Sequence, residues 1–197
     1  LMMAASSGNP RAVNLLIEAG ADVNAAEEGR GQTSLIFAAA FNRPETIKAL
    51  LIHGANIEQA SKLLKPMPSR ETSSNQQQGR AGKTRTPENS KALKTNDEKA
   101  VATDLPKEAE KTPRFLTKKG GNPKGQLTPL MYAARDGNDL AVQALVEAGA
   151  NLDAVSADGS TALLLSSING KFDIAKYLVE KGADVRIASI DGATPLF

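Results

Sequence analysis

Apolar positions recur along this chain with a long, regular period. A Leu opens each copy, at Leu1, Leu35, Leu130, Leu163 and Leu196, in steps of 34, 95, 33 and 33. The fullest copies read Thr33-Ser34-Leu35-Ile36-Phe37-Ala38-Ala39, Thr128-Pro129-Leu130-Met131-Tyr132-Ala133-Ala134 and Thr161-Ala162-Leu163-Leu164-Leu165-Ser166-Ser167. Leu1-Met2-Met3-Ala4-Ala5 and Thr194-Pro195-Leu196-Phe197 are partial copies. A second marker, at Gly20-Ala21-Asp22, Gly54-Ala55-Asn56, Gly149-Ala150-Asn151 and Gly182-Ala183-Asp184, always falls at the same distance after the Leu. A fixed period of this length signals stacked copies of one supersecondary unit.

Each unit predicts two short helices and a hairpin. Thr128 can N-cap the first helix, with Pro129 at its first position, where a missing N–H costs nothing. Gly8, Gly137 and Gly170 can stop that helix in the left-handed conformation, and Asn42, the next most tolerant residue type, takes their place in the second unit. A second helix follows with apolar residues near i, i+3 and i+4, as in Ala141, Val142, Leu145 and Val146 or Ile174, Ala175, Leu178 and Val179. The small Ala-Ala pairs let first helices approach closely. One such hairpin cannot bury its own apolar face, whereas stacked copies can. Each buried Leu contributes roughly 1.5–3 kcal/mol, and the stability of such a stack is mainly nearest-neighbour.

Residues 62–124 break the period. They carry neither marker and no sustained helical spacing, and are rich in Lys, Thr, Ser, Pro, Gln and Asn, a composition that buries too little to offset chain entropy. The reading is a low-complexity, disordered insertion at the hairpin tip of the second unit, with the second and third units stacking directly across it. The alternative is two decayed repeats, since the long step from Leu35 to Leu130 is close to three periods. Against it stands the missing apolar spacing of a second helix, although Asn89–Ala102 could hold short helical stretches. Charge follows this division. Residues 61–124 hold 15 Lys and Arg against 7 Asp and Glu, leaving 9 against 15 elsewhere, although the whole chain is only +2. A basic insert thus interrupts an acidic folded part.

Composition removes several chemistries. Among 197 residues there is no Cys and one His. Disulfides and thiolate metal sites are excluded, as are most zinc and His-based acid–base schemes. A chain without thiols suits a cytoplasmic or an exported setting, so the compartment stays open. No apolar run approaches the roughly 18 residues of a membrane span, and no signal peptide is visible. Gly79-Arg80-Ala81-Gly82-Lys83-Thr84 resembles a phosphate loop, but Gln77 stands where such a loop needs Gly and no strand precedes it. The basic insert could meet nucleic acid or anionic lipid, yet only Phe115 in it could stack on a base, so a solvated tether is the preferred reading. His53, before Gly54, suits the carbonyl end of a helix dipole rather than catalysis. Asp136, Asp139, Asp153 and Asp158 read as turn and cap residues.

The period, the Thr-Pro-Leu-x-x-Ala-Ala element and the Gly-Ala-Asp/Asn ending resemble the ankyrin repeat, in registered copies on both sides of the insert. The resemblance implies an all-α fold, an α-solenoid of helix-turn-helix units with hairpin loops, carrying a long loop insertion. Residues 1–61 would form two repeats, the first truncated at its start, and 125–197 two more and the start of a fifth. Because Leu1 lacks its Thr-Pro and Phe197 its helix, the expectation is a segment of a longer array. The style is similar to that of large bacterial ankyrin proteins, several of them exported. Met2, Ile36, Met131 and Leu164 replace the family's His, removing a hydrogen-bonding link between neighbouring loops. Ser166-Ser167 in place of Ala-Ala should loosen or polarise that contact.

For function the resemblance implies a non-catalytic protein-binding module, with no cofactor, no metal and no small-molecule substrate. The alternative is an accessory region of a larger enzyme or membrane-associated protein. In the family the concave groove is lined by the exposed side of each first helix and by the fingertips. Carried onto this sequence, those positions are Met3, Phe37, Tyr132 and Leu165, with Ser6, Ser7, Ala40, Phe41, Arg135, Asp136, Ile168 and Asn169 beside them. Aromatic and Met residues there would serve as binding anchors; the competing reading is that they pack on their neighbours. Fingertip candidates are Glu27, Glu28, Arg30, Ser156, Asp158, Ser189 and Asp191. A protein partner is expected, and nucleic acid is not.

Overall fold

A computed structural model describes residues 1–64 and 122–195. All of them belong to one compact unit, Leu1–Met67 with Gly120–Phe197. Most of the basic insertion, with Gly79–Thr84 and Phe115, lies outside the described residues. The elements are α1 (Met2–Ser7), α2 (Pro10–Glu18), α3 (Ser34–Ala40), α4 (Pro44–Ile52), β1 (Leu63–Leu64), β2 (Lys124–Gly125), α5 (Pro129–Asp136), α6 (Asp139–Glu147), α7 (Ala162–Ile168) and α8 (Phe172–Glu180). The fold of the described residues is therefore helical, apart from one short antiparallel strand pair.

Local chemistry sets the helix ends. The hydroxyls of Thr33, Thr128 and Thr161 accept from the N–H groups of Ile36, Met131 and Leu164, which would otherwise lack a partner in the first turn. Pro10, Pro44 and Pro129 open α2, α4 and α5 where no N–H is needed. Gly8, Gly137 and Gly170 take positive φ after the first helices, and Asn42 does the same at 54°. The Asn42 Oδ1 then accepts from the N–H of Ala141 in the next unit, so this position links as well as stops.

First helices form one layer, with α1 on α3, α3 on α5 and α5 on α7. Second helices form another, with α2 on α4 and α4 on α6. The second and third units thus stack on each other in space, although 65–121 separates them in sequence. The core runs through both layers from Ala5 and Val13 through Leu35, Leu50, Leu130 and Leu145 to Leu163 and Leu178. Ile36, Met131 and Leu164, which replace the expected His, are almost wholly buried, so that position exchanges a polar link for apolar burial. Ser166 and Ser167 do not loosen the α5–α7 contact as expected. Both hydroxyls donate to the carbonyl of Leu163 within their own helix, at 2.8 and 3.0 Å, so neither is left unpaired against α5. Between α6 and α8 there is a cleft of about 230 Å³, lined by Asp139, Val142, Gln143, Asp173, Ile174 and Tyr177. Tyr177 holds the register occupied by the buried Ala49 and Ala144 in α4 and α6.

The units are tied by a polar ladder that repeats with them. The acidic or amide residue of the Gly-Ala-Asp/Asn marker folds its own turn: Asp22, Asn56, Asn151 and Asp184 accept from the N–H two residues on. The residue two positions later reaches across. Asn24 accepts from the N–H of Asn56, Glu58 from that of Asn151, and Asp153 from that of Asp184, at 2.7, 2.7 and 2.8 Å. A second set joins the first-helix ends. Arg43 donates to the carbonyl of Ser6, and the Asn138 amide to those of Ala39 and Ala40. Absence of the His link therefore leaves the neighbouring units well connected by other groups.

Each hairpin is closed at its base by an equivalent backbone bond, from the N–H of Glu27 to the carbonyl of Gln32, of Ser156 to that of Ser160 and of Ser189 to that of Ala193. In the second unit the same bond runs from the Ser61 N–H to the carbonyl of Leu127, and the Ser61 hydroxyl accepts from the Leu127 N–H. The base of this hairpin is thus intact, and β1 and β2 prolong it outward, pairing Leu63 with Gly125 and Leu64 with Lys124. Successive fingers are joined by a further row, from the N–H groups of Lys62, Ala157 and Ile190 to the carbonyls of Arg30, Gly125 and Asp158. Gly125 sits where a Cβ would collide with the Lys62 carbonyl, at φ +105°, so no other residue fits without displacing the ribbon.

Candidate protein-binding face

Among the groove positions read from the sequence, the structure exposes Met3 (82%), Phe41 (54%) and Ile168 (64%), together with Asp136 and Asn169. Phe37, Arg135 and Leu165 are half-buried. Tyr132 differs from expectation: only 7% of it is exposed, which removes it as a free-standing anchor. The Arg135 guanidinium lies over its ring, 4.8 Å from the centroid, and is itself held by Asp136 through bonds of 2.7 and 3.1 Å. That pairing raises the guanidinium pKa further above its ordinary value, so Arg135 stays a fixed cation.

Fingers and first helices meet at a cleft of about 280 Å³. Leu127, Tyr132 and Leu165 supply apolar surface, and Arg30, Lys62, Leu64, Lys124 and Arg135 frame it. Ser156 and Asp158 form the remaining wall, with Asp158 accepting from the Ser156 hydroxyl and the Ser160 N–H inside its own turn. Glu27 is likewise committed to its finger. It accepts backbone N–H groups, that of Arg30 foremost and those of Gly29 and Gln32 after it, and these hold its carboxyl below the usual range. Asn122, just beyond the outer end of the β1–β2 pair, donates to Asp191 on the fourth finger.

Arg30, Ser156 and Asp158 were legible as fingertip residues. Ser61, Lys62, Leu64, Lys124 and Leu127 were not, because they border a stretch that reads as a tether. One signal could have found them. Ser61 stands as far beyond Leu35 as Glu27, Ser156 and Ser189 stand beyond Leu1, Leu130 and Leu163. Continuing the count past Gly54 would have marked it as a hairpin base. The other sequence candidates fall to structural roles. His53 is the exposed C-cap of α4, Asp139 lies in the first turn of α6, and Asp153 serves the ladder.

Comparison with protein families gives a match to ankyrin repeats (three copies) over residues 1–65 and 95–189. The chain belongs to the ankyrin-repeat family. Ankyrin repeats are generally protein-interaction modules and typically non-catalytic, and the helical stack described above has the architecture that this family implies. No curated protein matches the sequence. Among the described residues, no group of three or more His, Asp or Glu is placed to hold a metal ion, and no helix is long and apolar enough to cross a membrane.

Proposed function

We propose that this ankyrin stack is a non-catalytic module that binds a protein partner along the face shared by its first helices and fingertips. One observation carries the reading: Met3 on α1, Phe41 at the end of α3 and Ile168 at the end of α7 leave apolar side chains exposed along the first-helix layer. Apolar groups in a row on a rigid support are the usual anchors of an interface, and a preordered surface loses little entropy on docking. The mechanism is therefore presentation rather than chemistry. The polar ladder and the finger row fix the spacing of units, and the first helices offer side chains at that spacing.

The test uses proteins retained by the full chain from an extract and then titrated singly. Phe41→Ala is expected to weaken such a complex by at least about 1 kcal/mol while leaving the thermal melt unchanged, because an exposed ring adds little to the fold. Phe37→Ala should weaken binding by a similar amount. Unchanged affinity in both variants would reject this face. Tyr132→Ala is the poorer probe, since emptying a buried site also costs stability.

A further inference from the structure

The cleft at the root of the inserted ribbon has a character that the rest of the face lacks. Its frame carries Arg30, Lys62, Lys124 and Arg135 against a single carboxylate, Asp158. That carboxylate already accepts two hydrogen bonds within its own finger. Among the described residues, Arg30, Lys62 and Lys124 take part in no ion pair. Lys62 is tied to the carbonyl of Glu28 and lies near the Glu27 carboxylate without pairing to it, so Arg30 and Lys124 are the freer cations of the frame. Arg135 spends two N–H donors on Asp136, and the remainder of its fork stays available. Cations therefore converge over an apolar surface made by Leu127, Tyr132 and Leu165.

We propose that this cleft binds an extended acidic peptide segment, with one aliphatic or aromatic side chain entering toward Leu127 and Leu165 and flanking carboxylates meeting Arg30, Lys124 and Arg135. The inference rests on the protein-binding reading and narrows it to a ligand chemistry. Size agrees: about 280 Å³ lies just below the usual range for small-molecule sites and accepts one or two side chains of a passing chain. Charge agrees as well, since Arg forks pair with carboxylates and basic frames steer acidic partners. Nucleic acid fits less well, because the ring of the cleft, Tyr132, is buried beneath Arg135 and offers no open face for a base.

The experiment is a selection of random-sequence displayed peptides on the full chain, followed by anisotropy titration of the labelled winners. The expected winners carry several Asp or Glu around one Leu, Phe or Ile and bind more weakly as salt rises. Arg30→Glu and Lys124→Glu should each weaken them about tenfold, since both side chains are exposed and neither change touches the core. Replacing the apolar residue of the peptide by Gly should cost a similar factor. Winners without acidic enrichment, or acidic winners indifferent to both charge reversals, would overturn the proposal. If such winners are instead lost on Phe41→Ala, the wider face still binds protein and only the cleft assignment falls. An oligonucleotide binding in the same cleft as tightly as the acidic peptide would also overturn it, and recovery of no peptide at all would count against both readings.

Discussion

The carboxylate of Asp184 accepts from its partner Arg186 three times, through Nε at 3.0 Å, Nη2 at 2.9 Å and the backbone N–H at 2.9 Å. These bonds stabilise the charged form, the side-chain pair most of all and the backbone N–H next, and lower the pKa from its ordinary 3.8 to about 2. A depressed carboxylate adds stability above its unfolded pKa, and that contribution is lost as pH falls toward about 2. The carboxylate is open to solvent on one side and its Arg186 partner is exposed, so the effect on stability is small, but the titration itself is a sharp readout. An NMR titration should place the Asp184 midpoint near 2, and Arg186→Ala should move it back toward the ordinary value. A midpoint that does not respond to Arg186→Ala would show that the pair does not form in solution. Elsewhere, single residues serve two units at once. Asn42 ends a helix in its own unit with a positive φ that few side chains accept, and caps an N–H in the next.

Between elements, the ladder at the base of the fingers sets how one unit sits on another. Asn24 is its first rung, accepting from the Asn56 N–H while its amide donates to the Gly54 carbonyl. Each such bond is worth roughly 0.5–1.5 kcal/mol net, so Asn24→Ala should destabilise the stack by about 1–2 kcal/mol. In a nearest-neighbour array that loss falls mainly on the interface between the first and second units. Hydrogen exchange should therefore quicken in α1 and α2 before α5 to α8, and uniform quickening along the chain would contradict a local role. The apolar substitutions Ile36, Met131 and Leu164 work in the same direction. They deepen the core between first helices, while Asn and Arg side chains at the helix ends provide the directional contacts.

For the molecule as a whole, the second finger decides how an array can carry an insertion. Its hairpin base closes between Ser61 and Leu127 by the bond used in the other fingers, and the finger row continues through Lys62 and Gly125. Among the described residues, these bonds join the second and third units in register. Replacing residues 65–121 by a short Gly-containing tip should leave the circular dichroism spectrum of the helices intact. The melting temperature should rise by a few degrees, because each halving of loop length saves about 0.6 kcal/mol of closure entropy. Loss of helix or a broadened transition in that variant would mean that the inserted residues support the stack.

Sequence alone determined the repeating unit and the ends of its helices. Thr caps, Pro at first turns, Gly or Asn at stops and the two apolar spacings are local preferences, so each could be read from a few neighbouring residues. The stacked helical fold followed, because a hairpin with one apolar face must find a copy of itself. Which side chains stay open on the shared face was not legible in this way. Tyr132 and Phe37 hold the same register, yet Tyr132 is buried, with its own Arg135 over the ring, whereas Phe37 is half-buried. The cleft was hidden as well. Lys62 and Lys124 stand at opposite ends of the insertion, and only closure of the second hairpin and its pairing with flanking fingers bring their charges to one rim.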